Sequence, residues 1–190
     1  MKRTNIVWLL VAVLVLAGVW GCEPNSRGQV EQDIAKYTKA IQANPEDAEA
    51  YSNRGLAYAE KGQHDQAITD FTKAITLKPD LVEAYYNRGI AYDDNGQPDL
   101  AITDFNKAIE LKPDHAGAYI NRGIAYGVKD QHDQAISNFN KAIELKPDFV
   151  EAYNNRGVAY SEKGQPDQAI ADYTKAIALK PDFAEAYNNR

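Results

Sequence analysis

From residue 28 onward the chain alternates two kinds of amphipathic stretch. The first, Ala-Glu-Ala-Tyr-Ser-Asn-Arg-Gly-Leu-Ala-Tyr (48–58), sets Tyr51, Gly55 and Tyr58 four and three residues apart. The second, running from Asp65 to Pro79, sets Ala67, Phe71, Ala74 and Ile75 at the same kind of interval. Such spacing gathers side chains on one side of a helix, so two helices are predicted. The pair recurs with a period of 34: Tyr51, Tyr85, Tyr119, Tyr153 and Tyr187 keep that interval, as do Gly55, Gly89, Gly123 and Gly157. Pro45, Pro79, Pro113, Pro147 and Pro181 keep it too. A period of this length predicts an all-α solenoid of stacked helix pairs. Four full units follow (48–81, 82–115, 116–149 and 150–183), with a half unit at 28–47 and the opening of a fifth at 184–190.

Unit positions are counted from Ala48. Gly at 8 and Ala at 20 and 27 predict a close approach of the two helices, with aromatic rings at 4, 11 and 24 beside them. Eleven of the twelve Tyr occupy those three positions, so tyrosine reads mostly as core material. Gly62, Gly96 and Gly164 are expected to end first helices in a left-handed conformation, with Asp130 in that place in the third unit. Pro98 and Pro166 suit the first turn of the second helix. Asp80, Asp148 and Asp182, each with Glu three residues on, are expected to cap the following helix. Arg stands at position 7 throughout (Arg54, Arg88, Arg122, Arg156, Arg190), facing Asp70, Asp104, Asn138 and Asp172 at position 23. Two readings stand here: an Arg–Asp pair between helices, adding up to about 1 kcal/mol if exposed, or an Arg lying solvated along its own helix.

The recurring aromatic at 4, Gly at 8, Tyr at 11, Ala at 20, Phe or Tyr at 24, Ala at 27 and Pro at 32 resemble the tetratricopeptide repeat (TPR). The resemblance implies a right-handed α-solenoid of TPR helix hairpins whose first helices line a concave face. It also implies that positions 2, 5, 6, 9, 12 and 13 form that face. Asn recurs at 6 (Asn53, Asn87, Asn121, Asn155, Asn189). This is similar to the Asn ladders of some peptide-binding TPR domains, which bond the backbone of an extended peptide. Copying of one harmless Asn by duplication is the other reading. No Lys or Arg falls on the face, which argues against the TPR class that clamps a terminal carboxylate. Seven carboxylates do fall there (Glu49, Glu60, Glu83, Asp93, Asp94, Glu151, Glu162), and the third unit is apolar, with Ile120, Ile124 and Val128. A basic segment with an apolar anchor would complement such a groove. Tyr86, the one Tyr off the core positions, is a candidate hot spot or simply one exposed ring. The expected peptide-binding set is Asn53, Tyr86, Asn87, Ile120, Asn121, Ile124, Asn154 and Asn155.

The N-terminus is of another kind. Lys2 and Arg3 precede an apolar run from Ile6 to Trp20, short for a membrane span and suited to a secretory signal. Val19-Trp20-Gly21-Cys22 resembles a bacterial lipobox, with Trp20 departing from the usual small residue. The resemblance implies a signal peptide over 1–21, removed after Gly21, and lipidation of Cys22 at the head of a tether, 22–27. An uncleaved membrane anchor is the alternative. Either places the remainder outside the cytoplasm, facing periplasm or exterior. Several acyl chains on one Cys hold a bilayer stably. Glu23 in place of Asp leans towards the outer membrane where one exists.

With 44% hydrophobic and 25% charged residues, the chain has the composition of a folded protein. Its net charge of −6 argues against nucleic acid as a main partner. One Cys excludes an intramolecular disulfide, and three His are too scattered for a metal cluster. No catalytic constellation, phosphate loop, metal site or cofactor site is expected. The expected function is a membrane-anchored scaffold or adaptor that binds an extended protein segment, in envelope assembly or secretion. The alternatives are a recruiting arm of a larger enzyme continuing past Arg190, or a structural oligomer self-associating through its uncapped C-terminal end.

Overall fold

The computed structural model describes residues 27–190. The expected signal peptide at 1–21 and Cys22, with nearly all of its tether, lie outside the described residues. The regular structure within them is helical: α1 (Arg27–Ala43), α2 (Ala48–Glu60), α3 (His64–Leu77), α4 (Val82–Asp94), α5 (Pro98–Leu111), α6 (Ala116–Val128), α7 (His132–Leu145), α8 (Val150–Glu162), α9 (Pro166–Leu179) and α10 (Ala184–Asn189). No described helix is long and apolar enough to cross a membrane. The chain forms two compact units, one running through Lys112 and the other Pro113–Arg190.

In the first unit α2 pairs with α3 and α4 with α5, while α1 packs on α2 and α3 on α4. Phe71, Phe105, Ala67, Ala74, Ala101 and Ala108 are sealed from solvent. The position-8 glycines create this packing. A Cβ on Gly89 would lie 2.6 Å from Phe105 Cε1, and one on Gly55 would lie 2.8 Å from Phe71 Cε1. The second unit repeats the scheme, α6 pairing with α7, α8 with α9, and α10 closing on α9. Gly123 and Gly157 admit the rings of Phe139 and Tyr173 in the same way. Burying each ring stabilises by about 1.5–3 kcal/mol, and the adjoining Ala residues let the backbones come close enough to do it.

The turns explain where each hairpin folds back. Gly62, Gly96, Gly164 and also Asp130 are left-handed, with φ of 74, 72, 71 and 57°. After each, a backbone N–H reaches back to the carbonyl of the position-11 tyrosine: Gln63 to Tyr58, Gln97 to Tyr92, Gln131 to Tyr126 and Gln165 to Tyr160, at 2.8–2.9 Å. This is the closure of a Schellman motif. Pro98 and Pro166 open α5 and α9, as expected.

The capping expectation is corrected by one residue. Leu81, Phe149 and Phe183, not Asp80, Asp148 and Asp182, stand at the N-caps, and they give no side-chain cap bond. The reason is the Lys-Pro-Asp turn. The N–H groups of Leu81, Phe149 and Phe183 each close on the lysine carbonyl three residues back at 3.1 Å, so the aspartate sits inside the turn. Two first helices, α2 and α6, do have a side-chain cap. Asp47 Oδ1 accepts from Ala50 N at 2.9 Å, and His115 Nδ1 from Ala118 N at 3.2 Å.

Candidate peptide-binding surface

The first helix of each hairpin carries Tyr, Arg and Tyr at positions 4, 7 and 11, which share one side of the helix. The arginine is gripped from several directions. Arg54 Nε and Nη2 donate to Asp70 Oδ2 and Oδ1 at 2.7 and 2.8 Å, and Arg88 repeats this with Asp104 at the same distances. Arg156 pairs with Asp172 at 2.7 and 2.6 Å. The interhelix pair is therefore present in three hairpins, and its aspartates are buried. It is not the exposed pair for which about 1 kcal/mol would be an upper figure. The hydrogen bond to Asp holds the Arg54 and Arg156 guanidiniums above their ordinary proton affinity.

Two further contacts were not read from the sequence. Around Arg54 and Arg88 the position-4 and position-11 tyrosines sit only half-buried against the guanidinium, Arg88 Cζ lying 5.8 Å from both the Tyr85 and Tyr92 rings, and at Arg156 the position-4 ring of Tyr153 lies 5.5 Å away. They act as cation–π walls as well as core filler. The third contact reaches the preceding hairpin: Arg54 Nη1 to Thr38 Oγ1, Arg88 Nη1 to Thr72 Oγ1 and Arg156 Nη1 to Asn140 Oδ1, at 3.2, 2.9 and 2.6 Å. The signal was available as a Thr or Asn recurring at position 25.

On the opposite side of the first helices lies the expected binding face, and the two units differ there. On α2 and α4 it is accessible. Asn53 is exposed, and Asn87 and Tyr86 are partly so, among the exposed Glu49, Glu60, Glu83 and Asp94. The Tyr86 ring leans on Phe105, with centroids 6.1 Å apart and planes tilted by 53°. Asp93 and Asp94 end α4, where the helix dipole already disfavours anions. Burial, with the Asp94 charge adding, pushes Asp93 up to about 6. Burial also raises Asp94, opposed by His64, whose Nδ1 stands 4.0 Å from Asp94 Oδ2.

On α6 and α8 positions 5, 6 and 9 of that register are closed. Ile120 is fully buried, Ile124 and Asn121 nearly so, and Asn154 and Asn155 are each 2% exposed. Asn189 of the position-6 series donates Nδ2 to Oδ1 of Asn154, at position 5, at 3.1 Å, so this amide is already spent within the fold. Asn155 Nδ2 is buried without a hydrogen-bond partner. Of the eight expected residues the structure brings Asn53, Tyr86 and Asn87 onto one accessible face and places the other five inside the second unit. Val128, at position 13, is 47% exposed there. His64 and His132 begin α3 and α7 with Nδ1 covered and unbonded. Among the described residues no three potential ligands gather for a metal ion.

The comparisons with known proteins point one way. The family model described as "TPR repeat" matches residues 25–62, 55–96 and 128–164, and that described as "Tetratricopeptide repeat" matches 82–115 and 150–183. No curated protein sequence matches the chain significantly. Among solved structures, MamA is 32% identical, with 83% of this chain and 92% of that chain covered and a TM-score of 0.77. MamA from Desulfovibrio magneticus RS-1 is 25% identical over 83% and 89% of the two chains, with a TM-score of 0.77. YrrB, described as "a TPR protein with an unusual peptide-binding site", is 28% identical over 85% and 83%, with a TM-score of 0.73. With matched repeats over most of its length and helix hairpins to the same plan, the chain belongs to the tetratricopeptide-repeat family.

Proposed function

We propose that this protein is an interaction scaffold whose face on α2 and α4 takes an extended basic segment carrying an apolar anchor. The observation that carries the reading is the charge on that face: Glu49, Glu60, Glu83, Asp93 and Asp94 stand on the same two helices as Asn53, Tyr86 and Asn87, and no Lys or Arg occupies its positions, the nearby Lys78 Nζ lying 3.9 Å from Glu49 and His64 Nδ1 4.0 Å from Asp94. Carboxylates steer a basic chain, amides meet its backbone, and a half-buried ring offers an apolar seat. The peptide-binding site described for YrrB supports a scaffold of this type. The reading is non-enzymatic, in keeping with the family. A lipid on Cys22 would hold the scaffold on the outer side of a bacterial membrane, in envelope assembly or secretion, with the outer membrane favoured where one exists. The motif Val19-Trp20-Gly21-Cys22 supports this. Self-association is the second reading, favoured by Ile170 and Tyr187, 46% and 49% exposed on α9 and α10.

The test is fluorescence anisotropy of a labelled peptide with Lys flanking a Leu, titrated with the full chain. The double variant Tyr86→Ala/Asn87→Ala should bind at least roughly tenfold more weakly, the scale of a lost hot spot. A peptide with Glu in place of Lys should not bind. Equal affinity for both chains would overturn the reading. Acyl labelling that persists in Cys22→Ser would overturn the anchor, and a molar mass independent of concentration would overturn self-association.

A further inference from the structure

Within the first unit, the seam where α3 packs on α4 is built differently from its counterparts. At two other seams a lysine at position 14 closes on an acid at position 18 of the preceding second helix: Lys61 on Glu31 at 2.6 Å, and Lys163 on Asp133 at 2.5 Å. At the α3–α4 seam position 14 is Asn95, whose Nδ2 donates to Asp65 Oδ1 at 3.1 Å and brings no charge. Asp93 and Asp94 end α4 side by side. Among the described residues no Lys or Arg forms an ion pair with Asp65, Asp93 or Asp94. The cation that this seam can acquire is a histidine.

His64 opens α3 with Nδ1 covered and without a hydrogen-bond partner, 4.0 Å from Asp94 Oδ2. The two side chains keep 27% and 28% of their surface in solvent, so protons exchange and the carboxylate has room to move. A neutral imidazole can leave Nδ1 as an acceptor with nothing to accept, whereas a protonated one carries a donor there. Closing by roughly 1 Å then makes a charge-assisted hydrogen bond to Asp94. Asp93 answers acid in the same direction, since burial and the Asp94 charge push it up to about 6. The remaining charges around the seam are already placed: Glu60 is exposed at the end of α2, Lys61 is held by Glu31, and Asp65 is held by Asn95. His132 shows the contrast. It has the same register and the same covered Nδ1, but α8 ends in Ser161 and Glu162, and Glu162 forms no ion pair with it.

We propose that the α3–α4 seam is an acid-operated release for the face on α2 and α4: on acidification His64 gains a proton and draws Asp94 into an ion pair while Asp93 becomes neutral, and the face lets go of its basic segment. The proposal rests on the basic-segment reading of that face. Acid adds one positive charge at its edge and removes one negative charge from it, and Glu49, Glu60 and Glu83 are left to hold the segment.

The experiment titrates the full chain into the labelled Lys-flanked Leu peptide at constant ionic strength, at about pH 7.5 and at about pH 5.5, on either side of the Asp93 transition. The wild type should bind roughly tenfold more weakly at the lower pH. His64→Gln stays neutral throughout, so its loss should shrink to about threefold. His64→Gln/Asp93→Asn lacks both titrations, and its affinity should change by less than about twofold between the two conditions. His132→Gln should behave as the wild type. No binding by the wild type at about pH 7.5 would overturn the basic-segment reading and this proposal with it. Binding there with less than about twofold change on acidification would overturn the release alone. So would a loss as large as that of the wild type in His64→Gln or in the double variant.

Discussion

Replacing Asp104 with Ala removes the acceptor of two charge-assisted hydrogen bonds, from Arg88 Nε at 2.7 Å and Nη2 at 2.8 Å. The Asp104 side chain is 5% exposed and that of Arg88 16%. For a pair in open water the loss would be at most about 1 kcal/mol. Breaking a buried pair by removing one partner costs about 3–5 kcal/mol, because the other charge stays buried. Arg88 would not be abandoned. Nη1 keeps Thr72 Oγ1 at 2.9 Å, and the Tyr85 and Tyr92 rings still flank the guanidinium. The expected loss is therefore at the low end, about 3 kcal/mol.

Urea unfolding followed by circular dichroism measures it, fitted with a nearest-neighbour repeat scheme because stacked repeats need not unfold in one step. Asp104→Asn should cost less than Asp104→Ala, since the α6–α7 hairpin already works with an amide oxygen accepting from Arg122 at 2.8 Å. Arg88→Met combined with Asp104→Leu should recover most of the loss, since both charges then leave the interior together. A loss under about 1 kcal/mol for Asp104→Ala, with no recovery in the double variant, would refute the assignment of the pair to the interior.

Two further outcomes follow from the packing and the electrostatics. Gly89→Ala would place a Cβ 2.6 Å from Phe105 Cε1, and Phe105 is fully buried. The overpacking should cost about 1–3 kcal/mol against a helix-propensity gain of about 1, measured by the same unfolding, and a stabilised variant would contradict it. Burial beside Asp94 pushes Asp93 up to about 6 in the fold from an ordinary 3.8, so the folded state binds its proton more tightly. Its contribution is present at low pH and is lost as pH rises from about 4 through about 6. Asp93→Asn should therefore be neutral near pH 4 and stabilising above pH 6, by at most about 3 kcal/mol; a gain that does not change with pH would refute the cause.

Much of this was readable in the chain because the core repeats. Gly55 with Phe71, and Gly89 with Phe105, return every 34 residues, and a void that only glycine leaves can be filled by only a few side chains. The left-handed turn was legible even at Asp130, since its neighbours fixed the register. The helix caps were misread because a Pro-Asp turn and a capping Asp look alike in sequence, and only the carbonyl that Leu81 N–H reaches separates them. The strength of the Arg–Asp pair was out of reach for a different reason. Spacing can place Arg88 opposite Asp104, but how deep the pair lies depends on the rings and helices that close over it.

Burial also decides what the recurring asparagines mean. Repetition cannot distinguish an amide ladder from a copied residue, because repeats in one chain share an origin. Accessibility can. Asn53 and Asn87 remain able to meet an incoming backbone, while Asn189 already spends an amide hydrogen on Asn154, and Asn155 is sealed with an unbonded amide nitrogen. A buried donor without an acceptor costs about 1–3 kcal/mol, so the same residue at the same register is an asset on α2 and a burden on α8. The case for binding therefore rests less on the number of amides than on where carboxylates stay exposed beside them, and that condition is met on α2 and α4.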